Sequence, residues 1–343
     1  MKKNWLLVFF LTLIVFSCSK KTDGSGTAVS AAPSNLTLSG VVRTDSSGNV
    51  DFTAHATNAT VYTFDFGNSV TQVSATGTVT YKYPVSGVYT VTVVAKSASG
   101  QTLSQSITLS VTVVLSLVWS DEFETTGAPD PSKWGYDLGT GNGWGNNELE
   151  NYTNRADNVT VSGGTLKIIA KRENYNGSAF TSARLLTKGK YSFKYGRIDV
   201  RAKLPEGVGT WPAIWMLGDN IATAGWPACG EVDIMEHVGK QLNVIHGTLH
   251  HPGHSGANGD GSTTNISTAT AAFHIYSAEW NANTIRFLVD GSPYYTFSNN
   301  NTLPFNQSFF IILNVAMGGD FGGAVDPAFT TGTMEVDYVR VYQ

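Results

Sequence analysis

Apolar and polar residues alternate with a period of two over most of the chain beyond residue 33. Runs such as "GTLKIIAKRE", "GKYSFKYGRIDVRAKLP", "TIRFLVDGSPYYTF" and "TMEVDYVRVYQ" show the pattern, which predicts strands with one buried face. Glycine, serine and asparagine separate the runs, and no segment keeps a long helical period. The chain is therefore predicted to be all-β.

The predicted strands fall into two sections. Short runs such as "VYTFDFG", "TVTYKY" and "GVYTVTVVAKSASG" occupy residues 34–114, which is typical of a small immunoglobulin-like β-sandwich. Residues 115–343 carry further runs such as "SFFIILNVAMGG" and are long enough for one large sandwich or jelly roll.

The first residues have the pattern of an export signal. "MKKNWLLVFFLTLIVFSCSKK" has a basic start and an apolar run that ends at "VFSC". This resembles a bacterial lipoprotein box, so residues 1–18 are predicted to be a lipoprotein signal peptide with Cys18 as the lipidated residue. A plain signal peptide or a short membrane helix is the alternative. Residues 19–33 are predicted to be a flexible tether, and the location to be the bacterial outer membrane, facing the periplasm or the cell surface.

The amino-acid composition limits the classes of partner that the protein is expected to bind. Only 14% of residues are charged and the net charge is −4, with no basic stripe, which argues against nucleic-acid binding. The lipid anchor is the only predicted contact with the membrane. With Cys18 lipidated, Cys229 has no cysteine to pair with and is predicted to be a buried small hydrophobe. We expect a monomer.

Three carboxylates lie within "WPACGEVDIMEHVGK": Glu231, Asp233 and Glu236. On a strand, Glu231 and Asp233 share one face, and strict alternation would put Glu236 on the other. One extra residue, a β-bulge near Ile234 or Met235, would return Glu236 to the same face. The spacing therefore predicts three acids in a row on one face.

Adjacent carboxylates repel each other, so a surface without a task seldom keeps three of them together. Neighbouring charge and desolvation separate their pKa values, so that one group stays ionised while another holds a proton. A retaining glycosidase needs such a pair of carboxyl groups, and no cofactor is needed for that chemistry. Calcium binding is the rival use, but calcium usually takes its oxygens from loops.

The residues from 115 to 343 resemble glycoside hydrolase family 16, in the bulged form found in laminarinases. "WSDEF", "GNGWGNNELENYT", "GTWPAIWMLG" and "GWPACGEVDIMEHVG" follow in the family's order. The resemblance implies a concanavalin-like β-jelly roll sandwich with a glucan-binding cleft. It also implies that Glu231 is the nucleophile, Glu236 the acid/base, and Asp233 the residue that tunes both. Two residues depart from the pattern: Glu150, where laminarinases commonly have Gln, and His237, where Tyr is common. Either is expected to shift subsite preference or pH optimum.

A cleft for a neutral sugar needs flat apolar platforms and fixed hydrogen-bond donors. Core packing or a structural role is the alternative for every residue proposed here. Four tryptophans are predicted to form platforms or a cleft wall: Trp144, Trp211, Trp215 and Trp226. The resemblance implies that Asn147 and Arg184 hydrogen-bond sugar hydroxyls. It also implies that His250 is a cleft histidine near the leaving group.

Two further parts of the sequence carry candidate metal ligands. "VIHGTLHHPGHSG" holds four histidines, His246, His250, His251 and His254, a spacing that also fits zinc. Strand alternation at the first two, a Gly-rich loop after them, and a carboxylate mechanism that needs no zinc all favour the cleft histidine. The resemblance separately implies a structural Ca²⁺ site at Asp337, with Glu122 and the backbone oxygen of Gly164 as co-ligands. A paired surface acid is the alternative.

Within residues 34–114, "YTFDFGN" and "YKYPVSGVYTVTVVA" resemble the polycystic-kidney-disease (PKD) module, with Asn68 where an acidic residue is usual. A spacer is the expected role of this module, and glycan binding is the alternative.

The whole chain is then predicted to hydrolyse β-1,3-glucan or mixed-linkage β-glucan internally, with retention. The alternatives are a transglycosylase, a hydrolase of agar, carrageenan or xyloglucan, a non-catalytic glucan-binding surface protein, and an adhesive protein acting through the N-terminal module.

Overall fold

The structure is a computed structural model that describes residues 31–68 and 70–343. The predicted signal peptide, Cys18 and most of the predicted tether lie outside the described residues. Across the part of the chain that is described, no helix is long and apolar enough to cross a membrane.

The N-terminal section forms a sandwich of two small antiparallel sheets. Its strands are β1 (Ser34–Val42), β2 (Asn49–Thr57), β3 (Val61–Asp65), β4 (Thr71–Ser74), β5 (Thr78–Lys82), β6 (Gly87–Lys96) and β7 (Thr102–Val111). The sheet orders are β1-β2-β5 and β4-β3-β6-β7. Inward aromatic residues such as Phe52, Phe64 and Phe66 fill its own core. The Asn68 amide donates to the Tyr81 hydroxyl at 2.9 Å.

The second section is a larger sandwich. Its strands are β8 (Leu117–Asp121), β9 (Gly135–Asp137), β10 (Glu150–Tyr152), β11 (Val159–Ser162), β12 (Thr165–Tyr175), β13 (Ser178–Ser182), β14 (Arg184–Leu186), β15 (Gly196–Lys203), β16 (Thr210–Gly218), β17 (Glu231–Glu236), β18 (Val244–His250), β19 (Asp260–Asn265), β20 (His274–Trp280), β21 (Thr284–Val289), β22 (Ser292–Ser298), β23 (Phe309–Met317) and β24 (Thr331–Tyr342). Two single-turn helices, α1 (Ile221–Ala224) and α2 (Gly319–Gly322), and two 3₁₀ turns, Gly143–Gly145 and Gly256–Asn258, lie in its loops.

These strands form two sheets that enclose one large apolar core. The ten-stranded sheet, here called the back sheet, runs β10-β13-β12-β24-β15-β20-β21-β22, with β11 and β8 paired to β12 and β24. The seven-stranded sheet, here called the cleft sheet, runs β19-β18-β17-β16-β23-β14-β9. The core between them is separate from that of the small sandwich. The prediction of an all-β chain, with a jelly roll preceded by a small immunoglobulin-like sandwich, is confirmed.

The acid-bearing strand lies in the interior of the cleft sheet, as the third of its seven strands. β17 pairs with β16 on one side and with β18 on the other. Val232, Ile234 and Met235 are all buried in the core, so the opposite face of the strand is free to present polar groups to solvent. This position gives the acids a rigid support on both sides.

Candidate active site

The predicted bulge lies at Ile234. On the β16 side, Trp215 is paired with Asp233 and Ile214 with Met235, so one residue of β17 has no partner. Because Ile234 and Met235 both turn into the core, the next residue returns to the open face. Glu231, Asp233 and Glu236 therefore line one cleft together, as the three-residue step predicted.

Indole donors and one histidine hold the three acids. Trp226 Nε1 donates to Glu231 Oε2 at 3.0 Å, and Trp211 Nε1 donates to Glu236 Oε1 at 2.9 Å. His250 Nε2 lies 3.1 Å from Asp233 Oδ2 and 3.8 Å from Glu231 Oε1. Each glutamate thus has one donor and a fixed orientation.

The pKa values of all three acids are raised by burial. Desolvation, followed by the charge of Asp233, raises the pKa of Glu231 to about 8, while His250 and Arg184 oppose the rise. Desolvation likewise raises the pKa of Asp233 and of Glu236 to about 8. Because the groups are neighbours, their protons leave in successive steps that belong to the cluster. At neutral pH the cluster therefore retains protons that isolated carboxyl groups would have lost.

Aromatic side chains line the cleft on both sides of the acids. Trp226 is 49% exposed and its ring centroid lies 6.0 Å from that of His250. The guanidinium of Arg184 lies between two indoles, 4.7 Å from the ring of Trp215 and 4.8 Å from that of Trp144. All four predicted tryptophans, with Arg184 and His250, line the cleft.

The cleft crosses most of the sheet. Its lining includes side chains from six neighbouring strands, from β19 at one side to β14 at the other, and encloses about 830 Å³. Five steps between strands at about 4.8 Å each give a width of about 24 Å. A groove of that size accommodates several consecutive sugar rings.

One residue predicted to bind sugar, Asn147, does not face the cleft, and its neighbour Asn146 does. Asn147 does not line the cleft, because its amide donates to Asp320 Oδ1 at 2.9 Å. Asn146, Glu148, Asp320 and Phe321 line the cleft instead. The reason is local: Asn147 has a left-handed backbone, with φ of 56°, so side chains in this loop do not alternate as they do on a strand.

The two departures from the family pattern are both buried away from the cleft lining. Glu150 is fully buried, and its Oε2 accepts the Met317 N–H at 2.6 Å. Burial, and then the adjacent Glu148, raise the pKa of Glu150 well above its usual range. His237 is also buried and its Nε2 lies 3.0 Å from the Leu242 carbonyl oxygen. Neither side chain can touch a sugar directly, but each lies next to a cleft residue: Glu150 beside Glu148, and His237 beside Glu236.

The carboxylates predicted to bind calcium have other partners. Asp337 pairs with Arg201 at 2.6 Å, and Glu122 forms a two-point pair with Arg340 at 3.0 and 2.8 Å. A cation would have to displace these arginines, so the side chains as placed do not fit a calcium site. Gly164 lies in the turn before β12 and offers only its backbone oxygen. The calcium site stays a prediction. Cys229 is buried, as predicted, and has no disulfide partner among the described residues.

Comparison with known proteins places this site in a family. The sequence model described as "Glycosyl hydrolases family 16" matches residues 146–340, more than half of the chain. The model described as "PKD domain" matches residues 24–116. The chain belongs to glycosyl hydrolase family 16 and carries a PKD domain before its hydrolase domain.

Individual relatives agree with the family. A beta-glucanase of Rhodothermus marinus is 49% identical over 66% of this chain and 85% of its own length. A glucan endo-1,3-beta-glucosidase of Cryptopygus antarcticus is 39% identical over 65% of this chain and 90% of its own. The crystal structure of the Rhodothermus marinus laminarinase aligns with a TM-score of 0.65 and 48% identity, covering 67% of this chain and 98% of that one.

Proposed function

We propose that the chain is a retaining endo-β-1,3-glucanase that acts on laminarin-like or mixed-linkage β-glucan. One observation carries the proposal: two glutamates of a single bulged strand face an aromatic cleft, each held by a tryptophan N–H. The similarity to a beta-glucanase and an endo-1,3-beta-glucosidase supports the same substrate class.

The surroundings of the two glutamates favour different protonation states. Arg184 and His250 both favour the charged form of Glu231. Asp233 and His250 act on both glutamates in the same directions, but Glu236 has the negative charge of Glu148 nearby where Glu231 has Arg184, and that charge favours the neutral form of Glu236. Glu231 is therefore assigned as the nucleophile and Glu236 as the general acid.

The reaction follows in two steps. The Glu231 carboxylate attacks the anomeric carbon, the glycosidic C–O bond breaks, and Glu236 gives its proton to the departing oxygen. The ionised Glu236 then takes a proton from a water molecule, whose oxygen attacks the same carbon and releases Glu231. Two inversions return the β-configuration, and Glu236 ends protonated as it began.

The charges of the cleft favour a neutral polysaccharide. Among the described residues that line it, Arg184 is the only permanent cation, against five carboxyl groups: Glu148, Glu231, Asp233, Glu236 and Asp320. That cation is also paired with Asp137 at 3.1 Å. A sulfated chain would meet repulsion here, whereas a glucan would stack on the tryptophans. The width of the cleft supports attack inside a chain.

Product analysis over a substrate panel tests the proposal. Laminarin and lichenan should yield short oligosaccharides with the β-anomer formed first, as followed by NMR, while agarose, κ-carrageenan and xyloglucan should remain intact. Glu231→Gln serves as the inactive control. Preferred cleavage of a galactan, release of single glucose units only, or an α-anomer as first product would each refute the proposal. Longer products from a glucan acceptor would indicate a transglycosylase.

We further propose that Cys18 is lipidated and anchors the enzyme in the outer membrane, with the PKD domain as a spacer. The "VFSC" sequence supports this. Cys18→Ala should move the protein from the membrane fraction to the soluble fraction, with Cys229→Ala as the matched control. Equal membrane association of both variants would refute the lipid anchor.

A further inference from the structure

We propose that the turn between β18 and β19 binds one divalent transition-metal ion of the zinc class through His251, His254 and Asp260. This site is separate from the carboxylates of β17, and the proposal does not depend on the glucanase assignment. The carboxylate mechanism needs no zinc, and these three side chains come together outside the reaction centre.

The local fold explains the convergence. β18 ends at His250, and the following "HPGH" forms a tight turn closed by hydrogen bonds between His251 and His254 in both directions, at 2.8 and 2.9 Å. Gly253 supplies the positive φ of 85° that the turn requires. β19 then begins at Asp260 and pairs back along β18, which brings its carboxylate next to both imidazoles.

The donor atoms are spaced as ligands. His251 Nε2 lies 2.9 Å from Asp260 Oδ2, and His254 Nδ1 lies 3.1 Å from the same carboxylate. The three ligand atoms all lie within 4.8 Å of one another. The His251 side chain is 6% exposed and the His254 side chain 51%. The group is thus fixed on its inner side and open on its outer side.

The chemistry of this donor set selects the ion. Two imidazole nitrogens and one carboxylate oxygen suit zinc and its neighbours, which often take three protein ligands and one water. Calcium and magnesium prefer oxygen ligands alone. Phe297 and Phe305 pack against the His251 ring, so part of the site is shielded from water.

Another histidine of the same domain shows what a purely structural imidazole looks like. His274 has both nitrogens engaged, with Nδ1 2.7 Å from Asp290 and Nε2 2.9 Å from the Thr268 hydroxyl. His251 and His254 instead share one carboxylate. Their ring nitrogens therefore converge on one point, as the ligands of a metal ion do.

A bound ion would fix a wall of the cleft. Gly256, Ala257 and Gly259, which lie between the second and third ligands, all line it. Gly259 lies so close to the ring of His250 that a Cβ there would sit 2.7 Å from Cε1. Tying His254 to Asp260 would therefore limit motion of the loop behind His250, so the expected effect is on stability.

Zinc titration of the tag-free full chain, stripped of metal by a chelator and desalted, tests the site. Calorimetry should give one zinc ion per chain, and the metal should raise the unfolding temperature. Cobalt should give the visible absorption of a tetrahedral site. His254→Gln and Asp260→Asn should each weaken zinc binding by at least about tenfold. His274→Gln is the matched control and should bind zinc as the unchanged chain does.

The competing location is the reaction centre itself, because Glu231, Asp233 and His250 also lie within ligand distance of one another. Binding there would be lost in Glu231→Gln and kept in His254→Gln, and that outcome would overturn the proposal. Equal zinc affinity in His254→Gln, Asp260→Asn and the unchanged chain would overturn it as well. Since His254 is exposed, its replacement should leave the metal-free unfolding temperature unchanged.

Discussion

Carboxylates on the two sheets of the hydrolase domain have opposite surroundings. Glu122 and Asp337, on the back sheet side, each pair with an arginine, Arg340 and Arg201 respectively. The arginine hydrogen bonds lower the pKa of Glu122. An arginine thus neutralises each of these side chains locally, which is usual for an acid on a protein surface.

The acids of the cleft sheet have no such partners. Among the described residues, no lysine or arginine forms an ion pair with Glu231, Asp233 or Glu236, and the pKa of each is raised to about 8. An ion pair with an arginine there would keep the carboxylate ionised, so it would lack the proton that a general acid donates. The fold thus tolerates uncompensated, desolvated carboxyl groups where proton transfer and nucleophilic attack would use them.

Among the variants that test this contrast, Glu231→Ala should have the largest effect. Removing the nucleophile should lower kcat on laminarin by about 10⁴-fold or more, because the covalent step is lost. Azide should partly restore turnover from the vacated side and give an α-glycosyl azide. The measurement is the rate with and without azide, with NMR of the product. A β-azide from this variant would mean that the two glutamate roles are exchanged.

Glu236→Ala should show the complementary pattern. Loss of the general acid should cost about 10²- to 10⁴-fold on laminarin, yet an aryl glycoside with a good leaving group should still react, since it needs no protonation. Azide should here give a β-product. Glu122→Ala, on the other sheet, is the matched control and should retain full activity. Equal losses on both kinds of substrate would contradict the acid/base assignment.

Asp233→Asn should stabilise the protein at alkaline pH. The folded pKa of about 8 lies above the usual 3.8, so the folded state binds more protons than the unfolded state between these values. Stability then falls as pH rises through that window, and asparagine removes the penalty. We expect a gain of at least about 1 kcal/mol at pH 8, vanishing below pH 4, measured by denaturant unfolding. A variant less stable than the parent at pH 8 would show that Asp233 is charged and stabilised.

Strand periodicity accounts for the parts of this site that sequence could predict. The step from Asp233 to Glu236 is odd for a strand, and the only way to keep both acids on one face was the bulge that Ile234 forms. Trp211 and Trp215, four residues apart on β16, share the cleft for the same reason. On a regular strand, the face on which a side chain lies follows directly from its position in the sequence.

Loops gave no such rule. Asn142, Trp144 and Asn147 all have left-handed φ values near 50°, so counting could not tell that Asn146 rather than Asn147 faces the cleft. Asp260 meets His251 and His254 only because the hairpin folds back, and no local spacing reveals that contact. The arginines that pair with Glu122 and Asp337 come from strands far away in the sequence. Long-range pairing decides these cases.

Glu122→Gln tests the back-sheet side of the comparison. Its folded pKa is depressed, so the stabilisation is present above the usual pKa of 4.5 and is lost as pH falls through the folded value. Because the side chain is 35% exposed, the loss at pH 7 should be less than about 1 kcal/mol and smaller in high salt. Thermal unfolding at two salt concentrations measures it. A calcium-dependent rise in unfolding temperature that disappears in this variant would favour the calcium site over the arginine pair.

Glu150→Gln should have the smallest effect, because burial beside Glu148 favours the neutral form of Glu150. Burial and the charge of Glu148 keep its pKa well above the usual range, so an amide replaces a protonated acid of the same shape. Its Oε2 accepts the Met317 N–H, and the glutamine oxygen can accept that same bond. Stability at pH 7 should stay within about 0.5 kcal/mol, with any change in kcat/KM confined to alkaline pH. Glu150→Leu, which removes the acceptor, is the contrasting variant and should cost about 1–3 kcal/mol. A glutamine variant as unstable as the leucine variant would mean that the buried acid is ionised.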